Sequence, residues 1–196
     1  MSDTPHDPSR DRAERTLDTL LALDSLADLP RTGWLMRGVR PCESIADHSY
    51  AVTLLCALML DAVRAEGHTV DGERTLRMAL VHDAPEARTG DVPMPAKSPA
   101  LDRELTALER SLAYELLPPH LAALWDELEA GVTLEARIVR VADKAQMLAR
   151  ALRYEQQGHR GLGEFWTHAK TFDPRGVPGA DALFDALCAR ANRPRP

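Results

Sequence analysis

The stretch LVHDAPEARTGDVP, Leu80 to Pro93, decides how this chain is read. It sets His82 against Asp83 at the end of an apolar run, with Glu86 three residues on and Asp91 beyond a Thr89-Gly90 turn. Three carboxylates and an imidazole within ten positions repel one another and lose hydration on burial, so a positive charge must offset them. Pro85 has no amide hydrogen and its ring opposes continuation of a helix. A terminus or kink therefore falls at the His82-Asp83 pair and fans the neighbouring side chains toward one point.

Working outward, the pattern is helical. Ser44, with Asp47 three residues later, forms a capping box for a helix running to Gly67. Its stripe Ile45, His48, Val52, Leu55, Met59 and Val63 keeps to one face, so His48 points at the core. Asp71 caps the next helix, which Leu76, Ala79, Leu80 and Val81 carry inward to about Pro85. Ser98-Pro99 opens a helix through Leu117, which Pro118-Pro119 stops. Thr133 caps a helix over 133–157, where Asp143 lines up with Val139 and Met147. An aspartate in that line needs a partner or an ion. Arg140 and Arg150 are basic partners within reach, whereas Lys144 diverges by about 100°.

Further helices are expected over 12–29 (Leu17, Leu20, Leu21, Leu23, then the breaker PRTGW), 120–130, 161–170 and 180–191. No segment alternates with period two. The fold class is all-α: one domain over residues 12–192, with disordered tails at 1–11 and 193–196. With 44% hydrophobic residues, 196 positions can bury one sizeable core. The net charge of -6 argues against a nucleic acid duplex as partner. No window suggests a membrane span and the polar start is no secretory signal, so a cytoplasmic location is expected. Cys42, Cys56 and Cys188 lie far apart without CxxC spacing and indicate neither disulfides nor a thiolate site.

His48, His82, Asp83 and Asp143 make two imidazoles and two carboxylates from three helices, a set suited to a hard or borderline divalent ion. Their order resembles the H...HD...D signature of the HD-domain metal-dependent phosphohydrolases. RTGWLMRGVRPCESIADHSYAV (Arg31–Val52) and HDAPEARTGDVPMPAK (His82–Lys97) are similar to the 5'-deoxynucleotidase branch of that superfamily. The similarity spans roughly residues 17 to 155.

The resemblance implies an HD-domain fold of about six to eight helices and a phosphomonoesterase that converts (deoxy)nucleoside 5'-monophosphates to nucleoside and phosphate. Alternatives are another small or modified-nucleotide phosphate ester as substrate, and a non-catalytic nucleotide-binding module. The metal ligands would be His48, His82, Asp83 and Asp143, around one divalent ion (Mn, Co, Fe, Ni, Zn or Mg). Glu86 and Asp91 become the catalytic residues, orienting water and protonating the departing 5'-oxygen, with a second ion at this pair left open. Arg31 is the first choice for the phosphate contact and Arg37 the second, with Trp34 a base- or sugar-stacking residue. Glu43 and Asp47 are the alternative partners of these arginines, and Lys97 reads as an exposed lysine. His120 is the only histidine between Asp83 and Asp143, which disfavours a di-iron oxygenase. Relatives suggest a homodimer, for which the C-terminal helix with Leu183, Phe184 and Leu187 offers a surface.

Overall fold

The computed structural model describes residues 7–93 and 98–196. His6 and Lys97 lie outside the described residues. Among those described there is no strand, only an isolated bridge joining Pro30 to Ser44.

Helix α1 (Pro8–Leu23) starts within the predicted disordered tail. Asp7 accepts a bond from the Ser9 amide at 2.9 Å and Pro8 fills the first helical position, which suffices to begin the helix there. It tightens into a 3-10 turn at Asp24–Ala27 instead of continuing to Leu29. Leu17, Leu20 and Leu21 stay exposed, because α1 sits at the margin with little laid over it. The short α2 (Thr32–Leu35) follows, inside the stretch read as a breaker.

Helix α3 (Ile45–Ala65) opens on the expected capping box: the Asp47 amide donates to Ser44 Oγ at 3.1 Å and the Ser44 amide to Asp47 Oδ2 at 2.9 Å. Its 21 residues, which contain an 18-residue window of mean hydropathy 1.2, do satisfy the length and composition of a membrane span, contrary to the sequence expectation. Yet its inner stripe packs against α4 (Gly72–Val81) and, further on, the helix at Leu134–Gln156, as the core helix of a bundle does. The Asp71 cap holds, its carboxylate accepting from the Arg74 amide at 3.0 Å. Leu80 does not face inward: it is 62% exposed, while Met78, Ala79 and Val81 fill the interior. Neighbours 100° apart cannot all share one face.

After α4 the chain turns through Pro85 into α5 (Glu86–Thr89), which Gly90 ends at φ +68. Helices α6 (Pro99–Leu116), α7 (Pro119–Ala130) and α8 (Leu134–Gln156) follow, the first and last on the predicted Ser98 and Thr133 caps. Helix α8 is the spine, in contact with α3, α4, α7 and α9 (Ala180–Arg190). The helix expected over 161–170 is instead two 3-10 turns, Gly163–Trp166 and Ala169–Phe172. Gly161 at φ +81 and the absence of a sustained apolar repeat explain the difference.

Helix α9 corrects the dimer surface, since Phe184 and Leu187 are buried in the core. Arg193 pairs with Glu155 at 2.9 Å, and Arg195 reaches Asp181 at 2.7 Å and the Phe172 carbonyl at 2.8 Å. Charge pairing does there what apolar periodicity would have signalled elsewhere.

Candidate active site

The described residues bring His48, His82, Asp83 and Asp143 together. His48 comes from the first turn of α3, and His82-Asp83 from the point where α4 ends. Asp143 comes from the middle of α8. His48 Nε2 lies 3.3 Å from His82 Nε2, 3.6 Å from Asp83 Oδ2 and 3.3 Å from Asp143 Oδ1. His82 Nε2 lies 3.2 Å from Asp83 Oδ2. One ligand atom each from His48, His82 and Asp83 fall within 4.8 Å of one another.

Protonation can be read from the far side of each ring. His82 Nδ1 is 2.7 Å from the Ala79 carbonyl, which can only accept, so Nδ1 carries the hydrogen. His48 Nδ1 meets Gln146 Oε1 at 2.6 Å in the same way. When both rings are neutral, both Nε2 lone pairs face the same point, between two carboxylates. Four donors converging without a hydrogen of their own fit a divalent cation, and only a cation or added protons can fill that point.

The electrostatics agree. Burial works against charge on Asp83 and Asp143, yet their carboxyls stay well below the usual range, Asp83 through His82, His48 and Arg31 and Asp143 through Lys144, His48 and His82. Burial also opposes charge on His82, but Asp83 and Asp143 outweigh it and raise its pKa. The pocket attracts positive charge, as protons or as metal. Lys144 corrects the sequence reading: its long side chain curls back to place Nζ 3.0 Å from Asp143 Oδ2. Arg140 pairs instead with Glu129, and Arg150 with Glu43.

Glu86 and Asp91 border the same cavity, about 820 Å³ in volume. Asp91 accepts from the Gly33 amide at 3.4 Å and lies 3.8 Å from Arg31 Nη1, which is itself 3.4 Å from Asp83. Glu86 Oε2 is buried without a partner among the described residues. Burial first, then Asp83, pushes its pKa up to about 10. The Trp125 indole donates to the His82 carbonyl at 3.2 Å and pins the turn.

Arg31 therefore faces the carboxylates, whereas Arg37 is turned away. Arg37 pairs with Glu164, donates to the Gly33 carbonyl at 2.8 Å and lies over the Phe165 ring. Neither takes Glu43 or Asp47 as partner in these contacts. Trp34 borders the cavity but is only 2% exposed, packed against Tyr154 and Phe165 with its indole N–H on Glu43 at 2.8 Å. A ring so covered leaves no face for a base. Sequence reasoning missed Gln146 and Phe165 and gave Glu43 only as a partner for the arginines: an amide in a helix, an aromatic two residues past Gly163 and a glutamate before a cap carry no spacing signal.

An all-α fold that gathers two imidazoles and two carboxylates beside a cavity of about 820 Å³ suits a protein that holds a divalent ion next to a small ligand. The model of the HD domain matches residues 23–176. The chain belongs to the HD-domain family. It is similar to the 5'-deoxynucleotidase HDDC2 of Xenopus laevis, 34% identical over 86% of each chain. A Pyrococcus horikoshii protein of known structure is 33% identical with a TM-score of 0.77, over 90% of this chain and 98% of that one. The structure of a predicted metal-dependent phosphohydrolase from Magnetospirillum magnetotacticum is 26% identical with a TM-score of 0.71, over 95% and 98%.

Proposed function

We propose that the chain hydrolyses (deoxy)nucleoside 5'-monophosphates to nucleoside and phosphate, with one divalent ion held by His48, His82, Asp83 and Asp143. The observation that carries this is the meeting of two imidazole Nε2 atoms at 3.3 Å, each with its Nδ1 already donating and with carboxylates on either side. The similarity to a 5'-deoxynucleotidase supports the choice of substrate. When bound, the ion supplies Lewis-acid polarisation of the phosphoryl group and a water nucleophile at neutral pH.

The residues around it do the rest. Arg31, buried among Asp83, Asp91, Glu86 and Asp143, is held charged and is the phosphate anchor; its planar fork suits a phosphoryl oxygen pair. Asp91, steadied by Gly33 and Arg31, accepts a proton from the attacking water. Glu86, kept protonated by burial, gives its proton to the departing 5'-oxygen as the P–O bond breaks. Arg37 shapes the wall through Phe165 and Glu164 rather than touching phosphate. The proposal includes a cytoplasmic homodimer that acts on free nucleotide, with neither duplex nucleic acid nor membrane as partner; the net charge of -6 supports the first exclusion.

Phosphate release from a panel of deoxy- and ribonucleoside 5'-monophosphates with Mn²⁺, Co²⁺, Mg²⁺ or Zn²⁺ tests the reading. Turnover is expected, and Asp83→Ala should reduce it by more than about 100-fold, beyond what loss of an outer hydrogen-bond partner produces. Metal-loaded protein that releases phosphate from no mononucleotide would sink the proposal and favour a binding module.

A further inference from the structure

The site's least exposed histidine is anchored by a chain of side chains that none of the metal chemistry requires. Glu43 sits just ahead of α3 and is 4% exposed. Its Oε1 accepts from Trp34 Nε1 at 2.8 Å; its Oε2 accepts from Gln146 Nε2 at 3.1 Å and from Arg150 Nε at 2.6 Å. Its own amide donates to the Tyr154 hydroxyl at 2.8 Å. Gln146, also buried, then accepts from His48 Nδ1 at 2.6 Å.

The direction of the chain follows from what each group can do. The Glu43 carboxylate, paired with Arg150, offers only lone pairs, so the half of the Gln146 amide facing it must be NH₂. The other half, the carbonyl oxygen, must face His48. His48 Nδ1 then has to be the protonated nitrogen, and Nε2 is left with its lone pair aimed at His82, Asp83 and Asp143.

We propose that Glu43 and Gln146 are positioning residues that lock His48 in the Nδ1–H tautomer and aim its Nε2 lone pair into the metal centre. The inference deepens the proposed metal site and rests on it. Trp34, in the wall of the substrate cavity, hangs on the same carboxylate, so one buried glutamate sets both a ligand's tautomer and the position of that wall. Reversing the Gln146 amide would set its NH₂ against the His48 Nδ1 hydrogen and its carbonyl against the carboxylate. A lone amide at this place would hold either tautomer; the carboxylate behind it removes the choice. Outer partners of this kind are worth about 10–100-fold in metal affinity.

The test uses ¹⁵N-histidine NMR on metal-free protein and titration with Mn²⁺ and Zn²⁺ on the full chain. Wild-type protein should show His48 as the Nδ1–H tautomer. Gln146→Leu, nearly isosteric and without an acceptor, should lose that signature and bind both ions about 10–100-fold more weakly, with its helical circular dichroism retained. Gln146→Glu, which takes up a proton on the oxygen that faces the Glu43 carboxylate, still offers an acceptor to His48 and should recover most of the affinity. Glu43→Gln, which lacks the charge that orients the amide, should give a mixture of tautomers. An Nε2–H tautomer in the wild type, or unchanged tautomer and metal affinity in folded Gln146→Leu, would overturn the proposal. Wild-type protein that shows the Nδ1–H tautomer but takes up no ion would uphold the relay and sink the metal reading beneath it.

Discussion

Glu86 carries a proton where a surface glutamate would carry a charge. Its Oε2 has no partner among the described residues, and burial with Asp83 nearby lifts its pKa to about 10. A divalent cation beside Asp83 would draw that value down toward the working range, where a group can both hold a proton and release it. Glu86→Gln preserves shape and the unmatched oxygen but cannot transfer a proton. It should lower kcat by about 10²–10³-fold while leaving the affinity for the first ion within a few fold. Single-turnover kinetics with a metal titration checks this; equal kcat in variant and wild type would remove Glu86 from proton transfer. The four proposed ligands stand out in the sequence because each polar group sits on an apolar background, where burial without a partner is costly. Gln146 was not readable, since a neutral amide in a helix stripe carries no such cost signal. Trp34 misled for the opposite reason: its indole suits a base, but its N–H is needed by Glu43.

At the level of elements, His48 lies one turn inside α3, so the α3 N-terminus sets its place. Two features secure that end: the Ser44–Asp47 capping box, and backbone bonds from the Arg31 amide to the Glu43 carbonyl at 3.1 Å and from the Ile45 amide to the Leu29 carbonyl at 2.9 Å. The second pair also ties the Arg31 segment to the helix that carries His48. Ser44→Ala removes the cap and leaves those backbone bonds. It should cost about 1 kcal/mol, or about 2–4 °C in Tm for a chain of this size, with kcat little changed. A calorimetric melt beside an activity assay reads both, and a large loss of kcat at unchanged Tm would place Ser44 in the chemistry. Local chemistry of this sort is what a sequence states most plainly, which is why the Ser44, Asp71, Ser98 and Thr133 caps all stand where spacing put them. The 3-10 turns at 163–166 and 169–172 are held by tertiary packing of Trp166 and Phe172, and such contacts leave no period in the chain. The leucines of α1 show the same limit from the other side: periodicity marks a face but not whether anything covers it.

For the whole molecule, the centre links stability to pH with a sign that depends on the ion. Without metal, the raised pKa of His82 means the folded state binds its proton more tightly than the unfolded chain. That contribution is fully present below about pH 6.5, the ordinary histidine value, and is lost as pH rises through the higher folded value. Asp83 and Asp143, with lowered values, stabilise above about pH 4 and lose that contribution only as pH falls through their folded values. Metal-free protein should therefore be most stable in mild acid and soften toward pH 8. With metal the trend reverses, because each imidazole must be neutral to ligate and binding tightens as pH rises. At free metal about 100-fold above Kd the ion adds about 2.7 kcal/mol, worth roughly 5–11 °C in Tm at this chain length. Thermal melts from pH 5.5 to 8.5 in EDTA and in excess Mn²⁺ should diverge, with the metal-dependent rise in Tm small at the acid end and largest at the alkaline end. Parallel curves would mean that His48 and His82 are not what the ion meets. A divergence that survives Asp83→Ala but disappears in a variant with both histidines replaced would keep the imidazoles as ligands and move the carboxylate role to Asp143.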